Sequence, residues 1–128
     1  MLNIISEVNN YLNSKITLYS TVIQNVFMNQ SSEEIICREE PSEITSYYYN
    51  NSYDTNINFA YYIKSNDMKK ARDQAFEILD ILAVADMNSI TGGKFVSLRA
   101  ITPPSFLEKT QSGEFIFTLR FVLNYIGG

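Results

Sequence analysis

The sequence predicts an α+β fold in which a mostly antiparallel sheet is covered by two main helices, in the order α-β-β-β-α-β-β. Apolar and polar residues alternate in "INFAYYIK" and "EFIFTLRFVLNY", which is typical of half-buried strands. In "MKKARDQAFEILDIL" the apolar residues recur at three- and four-residue steps, which is typical of an amphipathic helix. Short connections between the strands favour antiparallel neighbours.

The length and composition fit one domain over 1–128. With 128 residues, 45% of them apolar, the chain can bury one ordinary core. No apolar run approaches the roughly 20 residues that cross a bilayer, and the first residues lack the pattern of a signal peptide. We therefore expect no membrane partner and synthesis in the cytoplasm. The net charge of -4 argues against a surface that grips duplex DNA, because phosphates require clustered Lys and Arg.

The first third is predicted to form one helix and two strands. The apolar spacing of Leu2, Ile5, Val8 and Leu12 predicts a helix over 2–13. Alternation favours a strand near 20–28, although Leu18, Val22 and Val26 also suit a helix. A short strand is predicted at 34–38, and the turn "NQSSEE" allows the two strands to pair as a hairpin.

The segment 39–56 is predicted to be an irregular loop. Pro41 is expected to end the preceding strand, because it cannot donate to a sheet ladder. The loop is rich in tyrosine, a residue that covers core edges and is enriched at protein interfaces. Both uses remain open for Tyr47, Tyr48, Tyr49 and Tyr53.

The remaining chain predicts a strand at 57–64, a helix at 67–84 and strands at 94–101 and 114–126. Ser65, Asn66 and Asp67 are candidate N-caps of that helix. Pro103-Pro104 is expected to break the strand at 94–101 before the loop "SFLEKTQSG". One face of the last strand is wholly apolar and should lie beneath the second helix; it consists of Phe115, Phe117, Leu119, Phe121, Leu123 and Tyr125.

No catalytic apparatus is visible in the residue types. The chain has no histidine, which removes Ser-His-Asp triads, Cys-His pairs and the usual zinc sites. Cys37 is interpreted as a small apolar strand residue. The acidic cluster Glu33, Glu34, Glu39, Glu40 and Glu43 is interpreted as solvated loop ends, and "TGGK" as a turn that lacks the rest of a phosphate loop. We expect no cofactor, no metal and no enzymatic activity.

The second half of the chain resembles a known family. A strand that ends in a basic residue, "FAYYIKS", leads into a helix with Asp67, Ala71 and Arg72. A further strand, a loop with Pro104 and Phe106, and a long final strand from Gly113 to Tyr125 follow. This pattern resembles the phage minor capsid or tail-terminator (tail-completion) proteins. "EEIICREEPSE" resembles the family's early strand and loop, except that Pro41-Ser42 replaces a common Gly-Gly.

The resemblance implies a structural virion protein at the head-proximal end of the tail. Such a protein forms a homo-oligomeric ring, usually a hexamer, that ends polymerisation of the tail tube. Its partners would be the tail tube protein and a head-tail connector or stopper protein, with DNA only passing through the lumen. An acidic chain suits a channel that does not grip DNA. Candidate subunit-interface residues are Tyr47, Tyr48, Tyr49, Tyr53, Pro103, Pro104, Phe106 and Leu107.

Other functions fit the same sequence. The chain could be another head-tail connector or neck subunit, or the cap of a headless, phage-tail-like bacteriocin particle. From a different class, a small ligand-binding α+β domain would require a pocket with convergent polar groups. A small enzyme is the remaining alternative, and no motif supports it.

Overall fold

The computed structural model describes residues 2–15, 22–24, 33–47, 53–84 and 96–127. In the described part, two helices and five strands follow one another in the predicted order. Their bounds are α1 Leu2–Lys15, β1 Val22–Gln24, β2 Glu34–Tyr47, β3 Tyr53–Ser65, α2 Met68–Ala83, β4 Val96–Lys109 and β5 Phe115–Gly127. The α+β class is confirmed, and both helices lie within two residues of their predicted ranges.

The strands form one sheet in the order β1-β2-β3-β5-β4. The pairs β2–β3, β3–β5 and β4–β5 are antiparallel, as predicted. The short β1 pairs with Ile35, Ile36 and Cys37 of β2 in parallel, so the predicted hairpin of these two strands is wrong. A tight turn can join only antiparallel neighbours, and parallel ones need a longer crossover.

The centre of the sheet is the pair β3–β5, which is in register from Tyr53 opposite Gly127 to Ser65 opposite Phe115. Alternation sends one set of side chains from both strands to the same face. These side chains are buried: Ile57, Phe59, Tyr61 and Ile63 of β3, with Phe117, Leu119, Phe121 and Leu123 of β5. The rings of Phe59 and Phe121 stack at 5.7 Å, and Tyr61 meets both edge-on. The predicted apolar floor is confirmed for these residues.

Both described helices pack on this face, which we call the helix face. Ala71, Ala75, Ile78 and Leu82 of α2 join the core, whereas Met68, which helical spacing predicts on the same apolar side, is 50% exposed, so the prediction is wrong for this residue. Asp67 is the N-cap, and its Oδ1 accepts from the backbone N–H groups of Lys69 and Lys70. Ile5, Val8 and Leu12 place α1 on the same core.

A buried polar contact fixes α1 against the sheet. The Tyr61 hydroxyl, which is fully buried, donates to Asn9 Oδ1 at 2.7 Å. Cys37 lies in the same core and is buried, as expected for a small apolar strand residue. Burial raises the pKa of its thiol to about 12, so the thiol stays protonated at neutral pH.

The opposite face of the sheet carries a second, smaller cluster. Ile36, Ala60, Tyr62 and Ile116 are buried there. Beside them Glu34 and Lys64, which are paired across β2 and β3, form an ion pair of 3.1 Å with only 4% and 6% of their side chains exposed. The interpretation of Glu34 as a solvated loop end is therefore wrong. The register brings it next to a lysine thirty residues away in the chain.

The prolines lie inside strands rather than ending them, which corrects two predictions. β2 continues through Pro41 to Tyr47, so most of the predicted loop 39–56 is a hairpin of β2 and β3. β4 continues through Pro103 and Pro104 to Lys109. Both strands shift register at these points, and β4 is an edge strand. An edge strand tolerates proline because one side of its backbone needs no ladder partner.

A charged side chain at the centre of the sheet is expected to destabilise the folded protein. Phe121→Asp places an unpaired carboxylate where 1% of the side chain is exposed, and should lower the free energy of unfolding by about 3–5 kcal/mol. Urea unfolding followed by circular dichroism measures this. The control is Val122→Asp, one residue along on the other face and half-buried, which should cost clearly less. Equal losses would contradict the assignment of the two faces.

The Glu34–Lys64 pair gives a second stability test. Lys64→Met leaves a buried carboxylate without its lysine and should cost about 3–5 kcal/mol of unfolding free energy. The double variant Glu34→Leu/Lys64→Met removes both charges and should recover most of that loss. A double-mutant cycle in urea measures the coupling. A cost below about 1 kcal/mol for Lys64→Met would show that the pair is dispensable.

Candidate subunit interface

The edge strand β4 exposes several apolar side chains. Ile101, Phe106 and Leu107 are 48%, 53% and 48% exposed, Pro103 is exposed and Pro104 is half-buried. Three register shifts against β5 lie between Ala100 and Glu108. Because bulges change the alternation of side chains, the neighbours Phe106 and Leu107 are both exposed. The predicted Pro-Phe loop is thus a bulged edge strand whose side chains are available for contact.

Phe106 packs against other side chains of the sheet, although it is also exposed. Its ring lies 5.8 Å from that of Phe117, edge to face, and 6.4 Å from that of Phe115. Lys109 places its ammonium 5.2 Å above the ring of Phe115. The inner edge of Phe106 therefore belongs to the sheet, and the outer half of the ring remains available to a partner.

A short turn at 110–114 holds this end of β4 in place. Thr110 N–H donates to the Glu114 carbonyl at 2.7 Å, and Gly113 N–H donates to the Thr110 carbonyl. The Thr110 hydroxyl donates to Glu114 Oε1 at 2.8 Å and accepts from Glu114 N–H. Gly113 has φ of 95°, a conformation that favours glycine. The turn is well bonded, so the β4–β5 hairpin presents its apolar residues on a firm support.

The two predicted parts of the interface lie at opposite ends of the sheet. Tyr47 and Tyr53 pair where β2 turns into β3, and Tyr53 lies opposite Gly127. Tyr48 and Tyr49 lie outside the described residues. Phe106 pairs with Phe117, which lies opposite Ile63. From Tyr53 to Ile63 is ten residues of strand, or roughly 33 Å at about 3.3 Å per residue, so the structure does not unite the two parts.

The face opposite the helices carries an arginine patch, which we define as Arg38, Arg99 and Arg120. Glu40 forms ion pairs with two of these arginines. Its Oε1 lies 3.2 Å from Arg120 Nε, and its Oε2 lies 3.6 Å from an Arg38 guanidinium nitrogen. Arg38 also stacks on the Tyr62 ring at 4.6 Å. A depression of about 300 Å³ beside this network is lined by Glu40, Asn58, Ile101, Thr102 and Arg120.

The start of α2 carries a separate ion-pair network. Lys70 donates to Glu33 at 2.6 Å, and Ser65 donates to the same carboxylate oxygen at 3.0 Å. The Lys70 hydrogen bond lowers the pKa of the Glu33 carboxyl below its ordinary value. Lys69 pairs with Asp73 at 3.1 Å, as their spacing predicts, on an exposed surface. The lysines of the small basic cluster at 69–72 are thus engaged by carboxylates.

A metal site, a nucleophile and a membrane span each make specific demands on the metal-ligating side chains, the one thiol and the helices. No group of three or more metal-ligating side chains gathers among them. The Cys37 thiol is protonated and buried, which leaves it a poor nucleophile. In the described part of the chain, neither helix is both long and apolar enough to span a membrane.

Three features of these surfaces were not recognised in the sequence. The sequence patterns place Ile101 in a strand without indicating a role, do not single out Phe76, and do not associate the arginines of the patch with one another. Phe76 is 37% exposed on α2, with the Arg72 guanidinium 5.1 Å above its ring. Three of the four arginines share one face only because β2, β5 and β4 lie near one another in the sheet. Period-2 alternation indicates which side chains share a face of one strand, but it does not indicate which strands are neighbours in the sheet.

No protein-family model matches the chain, and no curated protein matches it either.

A charge at Phe106 is expected to impair assembly more than folding. Phe106→Asp removes half-exposed contacts with Phe115 and Phe117, so the unfolding free energy should fall by only about 1–2 kcal/mol. The ring formation that the resemblance implies, measured by light scattering and negative-stain imaging, should be lost under conditions where the protein is folded. The control Ser105→Asp, at an exposed neighbour, should retain assembly. If assembly declines only as far as stability does, Phe106 is a core residue.

Proposed function

We propose that the protein is a structural subunit of a phage tail or tail-like particle that acts as a tail terminator. Several copies form a ring, with six as the expected number, on the head-proximal end of the tail tube. The ring ends tube polymerisation and presents the surface to which a head-tail connector or stopper protein binds. The protein is made in the host cytoplasm and ends in the virion.

The exposed apolar side chains of β4 are the observation that supports this proposal most directly. A single domain gains little from leaving Ile101, Phe106 and Leu107 in water, whereas a contact between proteins would bury them. The well-bonded β4–β5 hairpin supplies the rigid support that a repeated contact needs. Motifs around Asp67, Ala71, Arg72, Pro104 and Phe106 resemble those of tail terminators.

The described surface also favours assembly over small-molecule binding. Two depressions, of about 400 and 300 Å³, lie on the outside of α2 and of the sheet; charged side chains dominate the lining of the first, and the second combines Glu40 and Arg120 with Asn58, Ile101 and Thr102. A metabolite site is typically enclosed and mostly apolar, with a few convergent polar groups. Neck subunits and bacteriocin caps share the same demand for subunit contacts, so an assembly experiment must distinguish them.

Tube termination is the direct test. The cognate tail tube protein is polymerised in vitro with increasing amounts of this protein, and tube ends are imaged by negative stain. We expect rings on one end of each tube and shorter tubes as the ratio rises. Phe106→Asp protein serves as the assembly-deficient control. A folded protein that stays monomeric and leaves tube length unchanged contradicts the proposal, and binding to a head connector without an effect on tubes indicates a neck subunit.

A further inference from the structure

We infer that neighbouring copies dock head to tail, with the arginine patch of one copy against an acidic stripe on α2 of the next. This inference rests on the proposed ring assembly and adds two charged surfaces to the apolar side chains of β4 in the contact between copies. The acidic stripe is Asp73, Glu77 and Asp80, which follow each other at steps of four and three residues on the exposed side of α2.

The two surfaces lie on opposite sides of the molecule. Phe121 of β5 faces the core beneath α2, so its neighbour Arg120 faces away from the helices. Arg38, Ala60, Arg120 and Thr102 form one row across the four strands, and Glu40, Asn58, Val122 and Arg99 form the next. The acidic stripe lies on α2 away from its buried residues Ala71, Ala75 and Ile78. One surface is therefore beyond the sheet and the other is beyond the helix.

Opposite placement determines the kind of assembly. A self-complementary patch would give a two-fold dimer, whereas two different patches on different sides give head-to-tail association. Head-to-tail association either closes into a ring or continues as a filament. The placement of the two surfaces thus agrees with the ring that a tail terminator forms.

The charges of the two surfaces complement each other. In the patch, Glu40 offsets one of three arginines, which leaves an excess of two positive charges. In the stripe, Lys69 offsets Asp73 through their ion pair, and Arg72, which lines the same depression as the three carboxylates, offsets a second charge, which leaves an excess of one negative charge. The last turn of α2 has no basic residue, although cations are favoured at a helix C-terminus. An arginine from a neighbour would supply that charge beside Asp80.

Each surface also presents an apolar side chain, and the charged side chains of each surface are accessible to a partner. Phe76 lies among the stripe residues and is 37% exposed, and Ile101 borders the patch and is 48% exposed. Arg38 and Arg120 have 37% and 47% of their side chains exposed, and Arg99, Glu77 and Asp80 are exposed. A second copy of this chain fits because it brings both the opposite charge and a matching apolar contact.

Charge exchange tests the inference. The sheet variant Arg99→Glu/Arg120→Glu and the helix variant Glu77→Lys/Asp80→Lys each place like charges across the contact. Each should assemble with an apparent Kd at least about tenfold weaker than that of the unchanged chain. An equimolar mixture of the two variants, and a chain with all four substitutions, should assemble again. Light scattering and negative-stain imaging give the result, and circular dichroism shows that each variant is folded.

The controls separate this inference from the proposed function. Glu39→Lys, at an exposed position of β2 outside both surfaces, should leave assembly unchanged. If the unchanged chain forms rings and both double variants do too, the docking surfaces are wrong and the proposed function stands. If the folded double variants lose assembly, and neither their mixture nor the chain with all four substitutions regains it, the two surfaces do not contact each other and the inference is wrong. If the unchanged chain forms no ring alone or on tubes, the proposed function fails and the inference with it.

Discussion

The antiparallel pairing of β3 with β5 is the contact on which the other parts of the structure depend. Its register joins thirteen residue pairs without a shift and places Phe59, Tyr61 and Phe121 in one aromatic group. Both described helices cover that group, and α1 is anchored to it through Asn9 and Tyr61. The same register sends Arg120 to the opposite face. A slip by one residue would exchange the two faces and remove both the core and the arginine patch.

An exposed edge strand can contact another protein through its side chains without pairing with a further strand, and the edges of this sheet have features that favour such contacts. The chain has three prolines. Pro41 lies in β2, beyond the residues that pair with β1, and Pro103 and Pro104 lie in the edge strand β4. Proline removes a backbone donor, and bulges distort the ladder, so both discourage a further strand from adding. In the proposed assembly, contacts between copies then depend on side chains such as Phe106 and the arginines. Side-chain contacts can specify a neighbour's angle, which an assembly of defined size requires.

Much of the fold was predictable because its signals are local. The residues of one face of β3 and β5 follow from period-2 alternation, and the buried face of α2 follows from helical spacing, with Met68 as an exception at the first turn. The prolines misled the prediction because tolerance of Pro41, Pro103 and Pro104 depends on whether a strand lies at an edge. Strand order decides this, and it is not a local property. Likewise, the local sequence predicts a solvated position for Glu34, because its partner Lys64 is distant in sequence.

The sequence by itself determined the types of the elements, their order, the face that each central residue occupies and the absence of histidine chemistry. Each of these is a property of one residue or of a short window, in which side-chain direction follows from backbone period. The tertiary structure decided which strands are neighbours, that β1 runs parallel to β2, that β4 is an edge, and that Arg38, Arg99 and Arg120 share a surface opposite Asp73, Glu77 and Asp80. These facts depend on pairing between distant segments, where the gain from burying apolar area and satisfying backbone groups is decided for the whole chain at once.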